Sequence, residues 1–268
     1  MLTSELPLPD RGLDYGDGVF ETLLLKQGIP VLPALHLDRL RCGLEILSFP
    51  DCVVAVTKQL QSAAREVQSV GWQWASLRLS VTRGAGRRGY TPPENPVPRV
   101  LAQIAELEHD AAVMPAAAVL SLSSVRLSSQ PLLAGIKHLN RLEQVLAAVQ
   151  AQREGVDESV LLDQSGNVVS AIAGNLFVLR DEALITPPLT HCGVAGTRRR
   201  LIMETLAPAV GIDVLQQVVS LPELESAQEV FYCNSLQGMR PVSSLGDRQW
   251  ENHPVCEALF EQYLRELP

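Results

Sequence analysis

Lys137 stands apart in this chain, because no other lysine follows Lys58. Nineteen arginines against three lysines (26, 58 and 137) show that guanidinium groups meet most of the need for positive charge. Arginine stays protonated in proteins, whereas a lysine amine can lose its proton when desolvated and then attack a carbonyl. The residues ahead of it, Pro131-Leu-Leu-Ala-Gly-Ile136, are all small or apolar. They suit a buried amine able to form a Schiff base. A lysine left over from a GC-rich codon bias accounts for the same counts equally well.

Two further stretches could bind anions. Gly193-Val-Ala-Gly196-Thr197-Arg198 leads into a helical pattern, and N–H groups at a helix N-terminus bind phosphate. An ordinary glycine turn with a threonine cap explains the letters about as well. The arginines at 198–200 would oppose the helix dipole unless an anion sits there, which tips the reading toward phosphate. Gly84-Ala-Gly86-Arg-Arg-Gly89 matches the dinucleotide fingerprint literally, but Tyr90-Thr-Pro-Pro cannot open the helix that motif requires. What is left is a glycine loop carrying Arg83, Arg87, Arg88 and Tyr90. Guanidinium groups suit carboxylates; taken alone, the loop reads better as a solvated hairpin tip.

Other residues give weaker signals. Arg39, on His36-Leu-Asp-Arg-Leu40, reads as an exposed helix arginine, and Ser235 as a turn serine that could offer its hydroxyl to a phosphate. His138 adjoins Lys137 and reads as structural. The five histidines (36, 109, 138, 191 and 253) show no metal-ligand spacing. There is no Walker loop and no nucleophile elbow.

The elements that must position these residues fall into two groups. Strands over 19–25 and 29–32 form a hairpin around Gln27-Gly28, helical spacing covers 36–47 and 52–68, and alternation predicts strands over 75–82 and 99–106. These make a small α+β domain over 1–107, followed by a polar linker at 108–113. A larger C-terminal domain, 114–268, opens with a strand over 117–123 and a helix over 140–153. Short strands follow at 158–163, 167–170, 175–180 and 183–186, then a helix over 197–209, a strand over 213–219 and a short helix near 222–227. A strand over 229–234 and a helix over 254–266 complete the pattern.

Composition narrows the function classes. A chain of 268 residues, 46% hydrophobic, can bury a substantial core. A net charge of −8 argues against a general nucleic-acid or anionic-membrane binder, so the arginine clusters point to anionic small molecules. Five scattered cysteines (42, 52, 192, 233 and 256) without a C-x-x-C suit a reducing compartment. The N-terminus has neither a basic nor an apolar targeting segment, and no run reaches membrane-spanning length. The expectation is a cytoplasmic globular protein.

A phosphate site, a lone buried lysine and clustered arginines together suggest pyridoxal 5′-phosphate. Its aldehyde would take the lysine, its phosphate a helix N-terminus, and an anionic substrate the arginines. At this point the chain resembles the class IV, branched-chain-type pyridoxal-phosphate enzymes along nearly its full length. The resemblance rests on Asp10-Arg-Gly-Leu-Asp-Tyr-Gly-Asp-Gly-Val-Phe-Glu-Thr22, His36–Leu40, Asp157-Glu-Ser-Val-Leu-Leu-Asp163, Asn175-Leu-Phe177 and Gly193–Arg198. Within that class, Leu133-Ala-Gly-Ile-Lys-His-Leu-Asn-Arg-Leu-Glu-Gln-Val145 and Ser80–Tyr90 are most similar to the aminodeoxychorismate lyases.

The resemblance implies a two-domain, D-amino acid aminotransferase-like fold, of mixed α+β and α/β character, and a homodimer. It implies a lyase that cleaves 4-amino-4-deoxychorismate to 4-aminobenzoate and pyruvate in folate synthesis. By position, Lys137 takes the cofactor aldehyde, while Arg39, Thr197, Arg198 and Ser235 hold the phosphate. Arg141 and Asn175 stand among the cofactor residues. Lys137, with Thr22 as a second candidate, moves protons. Arg83 and Arg88, with Tyr90 on the same loop, are candidates for the substrate carboxylates. A free lysine titrates at ~10.4, and a downward shift of about 3 units, equivalent to about 4 kcal/mol, would make it a competent base, within the reach of desolvation and neighbouring cations.

One position departs from the family pattern. Relatives place a glutamate against the pyridine nitrogen where this chain has Ser170. A hydroxyl can hydrogen-bond that nitrogen but cannot supply the charge that keeps it protonated. The cofactor is then a weaker electron sink. That harms a transaminase more than a lyase whose product becomes aromatic; a Ser170→Glu variant with lyase rate and aminotransferase side activity both unchanged would overturn the idea. The nearest alternative is an aminotransferase of the same fold acting on D-amino or branched-chain acids. A cofactor-binding scaffold without turnover is the alternative of another class.

Overall fold

The computed structural model describes residues 6–268, so the first residues of the N-terminal stretch read above for a targeting segment lie outside it. The chain divides into two compact units. The first takes in residues up to Asp110, together with Ile136–Asn140 and Leu267–Pro268; the second is Ala111–Gly135 with Arg141–Glu266. The Lys137 segment, assigned from sequence to the C-terminal domain, is therefore part of the first unit.

In the first unit, α1 (Arg11–Tyr15) precedes β1 (Gly18–Lys26) and β2 (Ile29–Pro30). Then come α2 (Pro33–Ile46), α3 (Val53–Val70), β3 (Trp74–Thr82) and β4 (Arg99–Glu106). The sheet order is β2-β1-β3-β4, all antiparallel. Gln27 and Gly28 both take positive φ, the geometry a two-residue hairpin needs. Alternation gives β1 and β3 two faces. Val19, Leu23, Leu77, Leu79 and Val81 pack on Leu40 and Leu44 of α2 and on Val56, Leu60 and Val67 of α3. The opposite face holds Phe20, Thr22, Arg78 and Ser80, with Thr22 directly across from Arg78. The short α1 leaves no period in the sequence; Asp10 caps it by accepting from the Gly12 N–H at 2.8 Å.

The second unit contains β5 (Ala118–Leu127), α4 (Leu142–Glu154), β6 (Glu158–Asp163), β7 (Asn167–Ala171), β8 (Asn175–Arg180) and β9 (Ala183–Thr186). The helical run Thr197–Ala209 follows, in three parts: α5 (Thr197–Leu201), a π-helical turn (Ile202–Leu206) and α6 (Ala207–Ala209). Pro208 lacks the N–H that a regular α-helix would use there. Then come β10 (Val214–Gln216), β11 (Val219–Ser220), α7 (Leu221–Glu225), β12 (Glu229–Asn234), β13 (Gly238–Leu245), β14 (Arg248–Gln249) and α8 (Pro254–Leu264). The strands join in one sheet ordered β10-β9-β8-β12-β13-β5-β6-β7-β11, with β14 on β13. One core cluster gathers Leu120, Val160, Leu176, Val178, Val230 and Val242; a second, with Leu127, Leu161 and Val169, packs on Ala147 of α4.

Two expectations needed correction here. The single strand expected over 213–219 is two strands on opposite edges of the sheet, β10 on β9 and β11 on β7. The strand β13 was not expected at all, because Pro241 and two serines obscure its alternation. It pairs antiparallel with β12 and parallel with β5, and a register shift between Val242 and Ser244 absorbs the irregularity. No helix among the described residues is long and apolar enough to cross a membrane.

Candidate active site

In the first unit, Lys137 sits on a segment hydrogen-bonded to the start of β1. The Phe20 N–H donates to the Lys137 carbonyl at 2.9 Å, the Leu139 N–H to the Gly18 carbonyl at 3.0 Å, and Val19 bridges His138. This fixes the backbone and leaves the amine to extend over the Phe20 ring, with Nζ 4.4 Å from the centroid. Lys137 is half-buried rather than enclosed, as the sequence reading had it. The Arg78 guanidinium lies over the same ring at 3.8 Å. Arg78 has no hydrogen bond or ion pair within the described protein, and burial alone pulls its pKa down. Sequence reasoning missed it, because one arginine between Leu77 and Leu79 looks like the outward residue of an ordinary strand. Its partner across the ladder is the half-buried Thr22.

Glu21 points to the other side of β1, where it meets α2. Arg39 grips it in bidentate fashion, Nε to Oε1 at 2.7 Å and Nη2 to Oε2 at 2.5 Å, and His36 Nδ1 lies 2.7 Å from Oε2. Burial by itself would raise the Glu21 pKa. The Arg39 charge and hydrogen bonds, helped by His36, outweigh it and hold the carboxyl at about 2. Arg39 is thus not the exposed helix arginine of the sequence reading; a buried carboxylate sets its orientation.

The glycine loop separates its arginines. Arg83 is buried and committed to the fold, with Nε on both Asp17 oxygens (3.0 and 2.8 Å) and its two terminal nitrogens on the carbonyls of Ser48 and Leu47. It has no free fork for a substrate carboxylate, and that assignment is withdrawn. Arg11, unremarked in the sequence, shares Asp17 and donates to the carbonyls of Gly89 (2.9 Å) and Tyr90 (2.7 Å). Burial would raise the Asp17 pKa, but the two arginines outweigh it and lower it. The loop is therefore laced to α1, not a loose tip. Arg88 and Tyr90 stay exposed at its end, Tyr90 by 87%.

In the second unit the stretch 193–198 is anchored from two sides. Gly135 bonds to Gly193 and accepts from the Ala195 N–H, while the Asn175 amide accepts from the Gly196 N–H at 3.1 Å and donates to the Val194 carbonyl at 2.9 Å. A Cβ at Gly196 would lie 2.0 Å from Asn175 Oδ1, so glycine is required. Thr197 and Arg198 open α5, both buried. Arg198 is 1% exposed, yet its Nε and Nη1 have no partner; only Nη2 is engaged, on the Ser235 carbonyl at 3.1 Å. No carboxylate neutralises it. A buried guanidinium with unmet donors, at a helix N-terminus whose first N–H groups lack intrahelical partners, fits a phosphate. Ser235 meets Arg198 through its carbonyl, not its hydroxyl.

Ser170 lies on β7 opposite Leu161, 9% exposed, and its hydroxyl makes no hydrogen bond within the described protein. Arg141 is half-buried at the cap position of α4. Within the first unit, Lys137 and the missed Arg78 share the Phe20 ring, Thr22 faces Arg78 across the ladder, and Arg39 lies behind the same strand. Within the second, Asn175 holds the turn that leads into Thr197 and Arg198, and Arg198 reaches the Ser235 carbonyl.

The chain is 34% identical over 246 residues to an aminodeoxychorismate lyase of Vibrio harveyi, covering 90% of this chain and 88% of that protein. Its fold matches the crystal structure of the 4-amino-4-deoxychorismate lyase of Pseudomonas aeruginosa, with a TM-score of 0.90 and 38% identity over 98% of this chain and 96% of that one. The Escherichia coli branched-chain amino acid aminotransferase matches with a TM-score of 0.85 and 25% identity, over 99% and 91% of the two chains. The model of the class IV amino-transferases matches residues 18–245, and the chain belongs to that family.

Proposed function

We propose that this protein is a lyase that converts 4-amino-4-deoxychorismate to 4-aminobenzoate and pyruvate in folate biosynthesis, working in the cytoplasm as a homodimer. Its cofactor is that of the family, pyridoxal 5′-phosphate. The observation that carries this reading is the Phe20 ring with both Lys137 and Arg78 over it. It offers an amine for the cofactor aldehyde and an unneutralised cation for a carboxylate on one aromatic platform. Similarity to the two lyases supports the choice of substrate, and Ser170 in place of an acid favours it over transamination.

Bound at this site, the cofactor supplies an aldehyde for the substrate amine and a conjugated ring that accepts electrons. In the second unit, Arg198 and the N–H groups at the start of α5 would hold its phosphate; in the first, Arg39, kept in orientation by Glu21, is a further candidate for it. Lys137 Nζ would take the proton from the amine-bearing ring carbon of the substrate. The bond to the enolpyruvyl oxygen breaks, the ring becomes aromatic, and a proton returned from Lys137 or Thr22 completes pyruvate. Arg78 holds one substrate carboxylate, and Arg88 with Tyr90 is the candidate for the other.

The direct test supplies chorismate and glutamine with an aminodeoxychorismate synthase and follows 4-aminobenzoate fluorescence. Product formation supports the reading. A yellow protein that makes none, yet transfers amino groups to keto acids, would overturn it. Arg78→Gln should raise KM by about 10- to 100-fold, the worth of one charged hydrogen bond, with a smaller change in kcat; an unchanged KM would remove Arg78 from the site.

The proposed homodimer draws support from α4. Leu142, Val145, Leu146 and Val149 recur at helical spacing and are all exposed. Leu146→Glu should weaken self-association by about 100-fold or more, since it would bury a charge in an apolar contact. Sedimentation across a concentration series reads this directly, and an unchanged dimer would show that α4 is not the contact.

A further inference from the structure

Glu158 is a buried acid with no part in the chemistry above. It opens β6 with its side chain under the turn that joins β7 to β8. Its Oε2 accepts the Ala173 N–H at 3.1 Å, and the backbone of Ser159 and Ile172 also donates to the carboxylate. The turn closes on itself through the Ala171 N–H and the Gly174 carbonyl at 2.9 Å. Ser170 lies just before this turn and Asn175 just after it. Asn175 in turn clamps Gly196 and Val194 ahead of the phosphate-binding helix. One carboxylate thus holds the N–H groups of Ile172 and Ala173, between two candidate cofactor residues.

We propose that Glu158 is a positioning residue of the cofactor site, whose carboxyl group holds the Ile172–Gly174 turn and so sets the placement of Asn175 and Ser170. The proposal rests on the pyridoxal-phosphate reading. The titratable groups facing Glu158 are Arg240 on β13 and Tyr232 on β12, with Asp157 just before β6. Arg240 is paired with Asp157 at 2.9 Å. Burial pushes Tyr232 up to about 12, so it stays neutral. Burial would raise Asp157 too, but the Val119 N–H and Arg240 outweigh it and keep it ionised. Burial pushes Glu158 up to about 7 against its backbone donors and Arg240. Of these groups Glu158 alone changes charge near neutral pH. A protonated carboxyl still has one oxygen to accept the Ala173 N–H. Because burial raises Glu158 above the ordinary 4.5, the closed turn binds the proton more tightly than an opened, solvated one, so the turn loosens as pH rises through this range, and cofactor affinity falls with it.

Hydrogen exchange on the full cofactor-free chain, corrected for intrinsic rates, tests the link without any substitution. Protection at Ile172 and Ala173 should fall about 10-fold from the acid to the alkaline side of neutrality. In Glu158→Gln this pH dependence should vanish. Pyridoxal 5′-phosphate affinity, read from visible absorbance, should then lose the alkaline fall of the wild-type chain. Flat exchange in the wild-type chain, or an unaltered binding profile in Glu158→Gln, overturns the proposal. A wild-type chain that binds no pyridoxal 5′-phosphate at any pH, while its turn still loosens, overturns the cofactor reading and the functional half of the proposal with it.

Discussion

Lys137→Ala is expected to lower 4-aminobenzoate formation by at least about 10³-fold, because one side chain serves as both the cofactor's anchor and the proton carrier. Lys137→Arg should rescue none of it, since a guanidinium keeps its proton. The fold should tolerate both changes. What ties this segment down is backbone, the Phe20 N–H on the Lys137 carbonyl and the Leu139 N–H on the Gly18 carbonyl, and an alanine keeps those bonds. Unfolding free energy should therefore move by less than about 1 kcal/mol, as for substitutions outside buried networks. Steady-state fluorescence assays and denaturant melts of the same preparations separate the two effects. An alanine variant that kept a tenth of the wild-type rate would remove Lys137 from the mechanism.

Glu21→Gln should act in the opposite manner, through the fold. The carboxylate is buried between Arg39 and His36, and neutralising it leaves the Arg39 charge without its partner. Breaking a buried pair in this way costs about 3–5 kcal/mol. The pH dependence has a definite sign. The folded-state pKa is about 2, below the ordinary 4.5, so the unfolded chain binds the proton more readily. Glu21 then contributes stability above about pH 4.5 and loses it as pH falls toward about 2, an effect of about 3 kcal/mol. The stability gap between wild type and Glu21→Gln should be widest at neutral pH and narrow through that acid window. Denaturant titrations at a series of pH values measure it, and a gap that stayed constant down to pH 2 would refute the linkage. Cofactor affinity should fall as well, because Arg39 loses the group that aims it.

Much of the fold was legible because strand and helix patterns are local. Alternation over 75–82 and the spacing of Val56, Leu60, Ala63 and Val67 mark buried faces that any compact fold would have to cover. β13 escaped because its pairing partners, β12 and β5, compensate for Pro241 from outside the segment. The domain division escaped in part for a related reason. Residues 136–140 join the first unit through hydrogen bonds to β1, more than a hundred residues earlier in the chain.

The arginines divide the two kinds of knowledge most clearly. Taken alone, the sequence determined that the chemistry would rest on one lysine, a glycine turn entering a helix, and guanidinium groups for anions, because residue type and short-range spacing set those capacities. Only the tertiary structure decided which guanidinium groups remain available. Arg83 is neutralised by Asp17, 66 residues away in sequence, and Arg39 is held by Glu21, while Arg78 and Arg198 are left without a carboxylate. Availability depends on which opposite charge folding brings within hydrogen-bond reach, and chain distance carries no record of that.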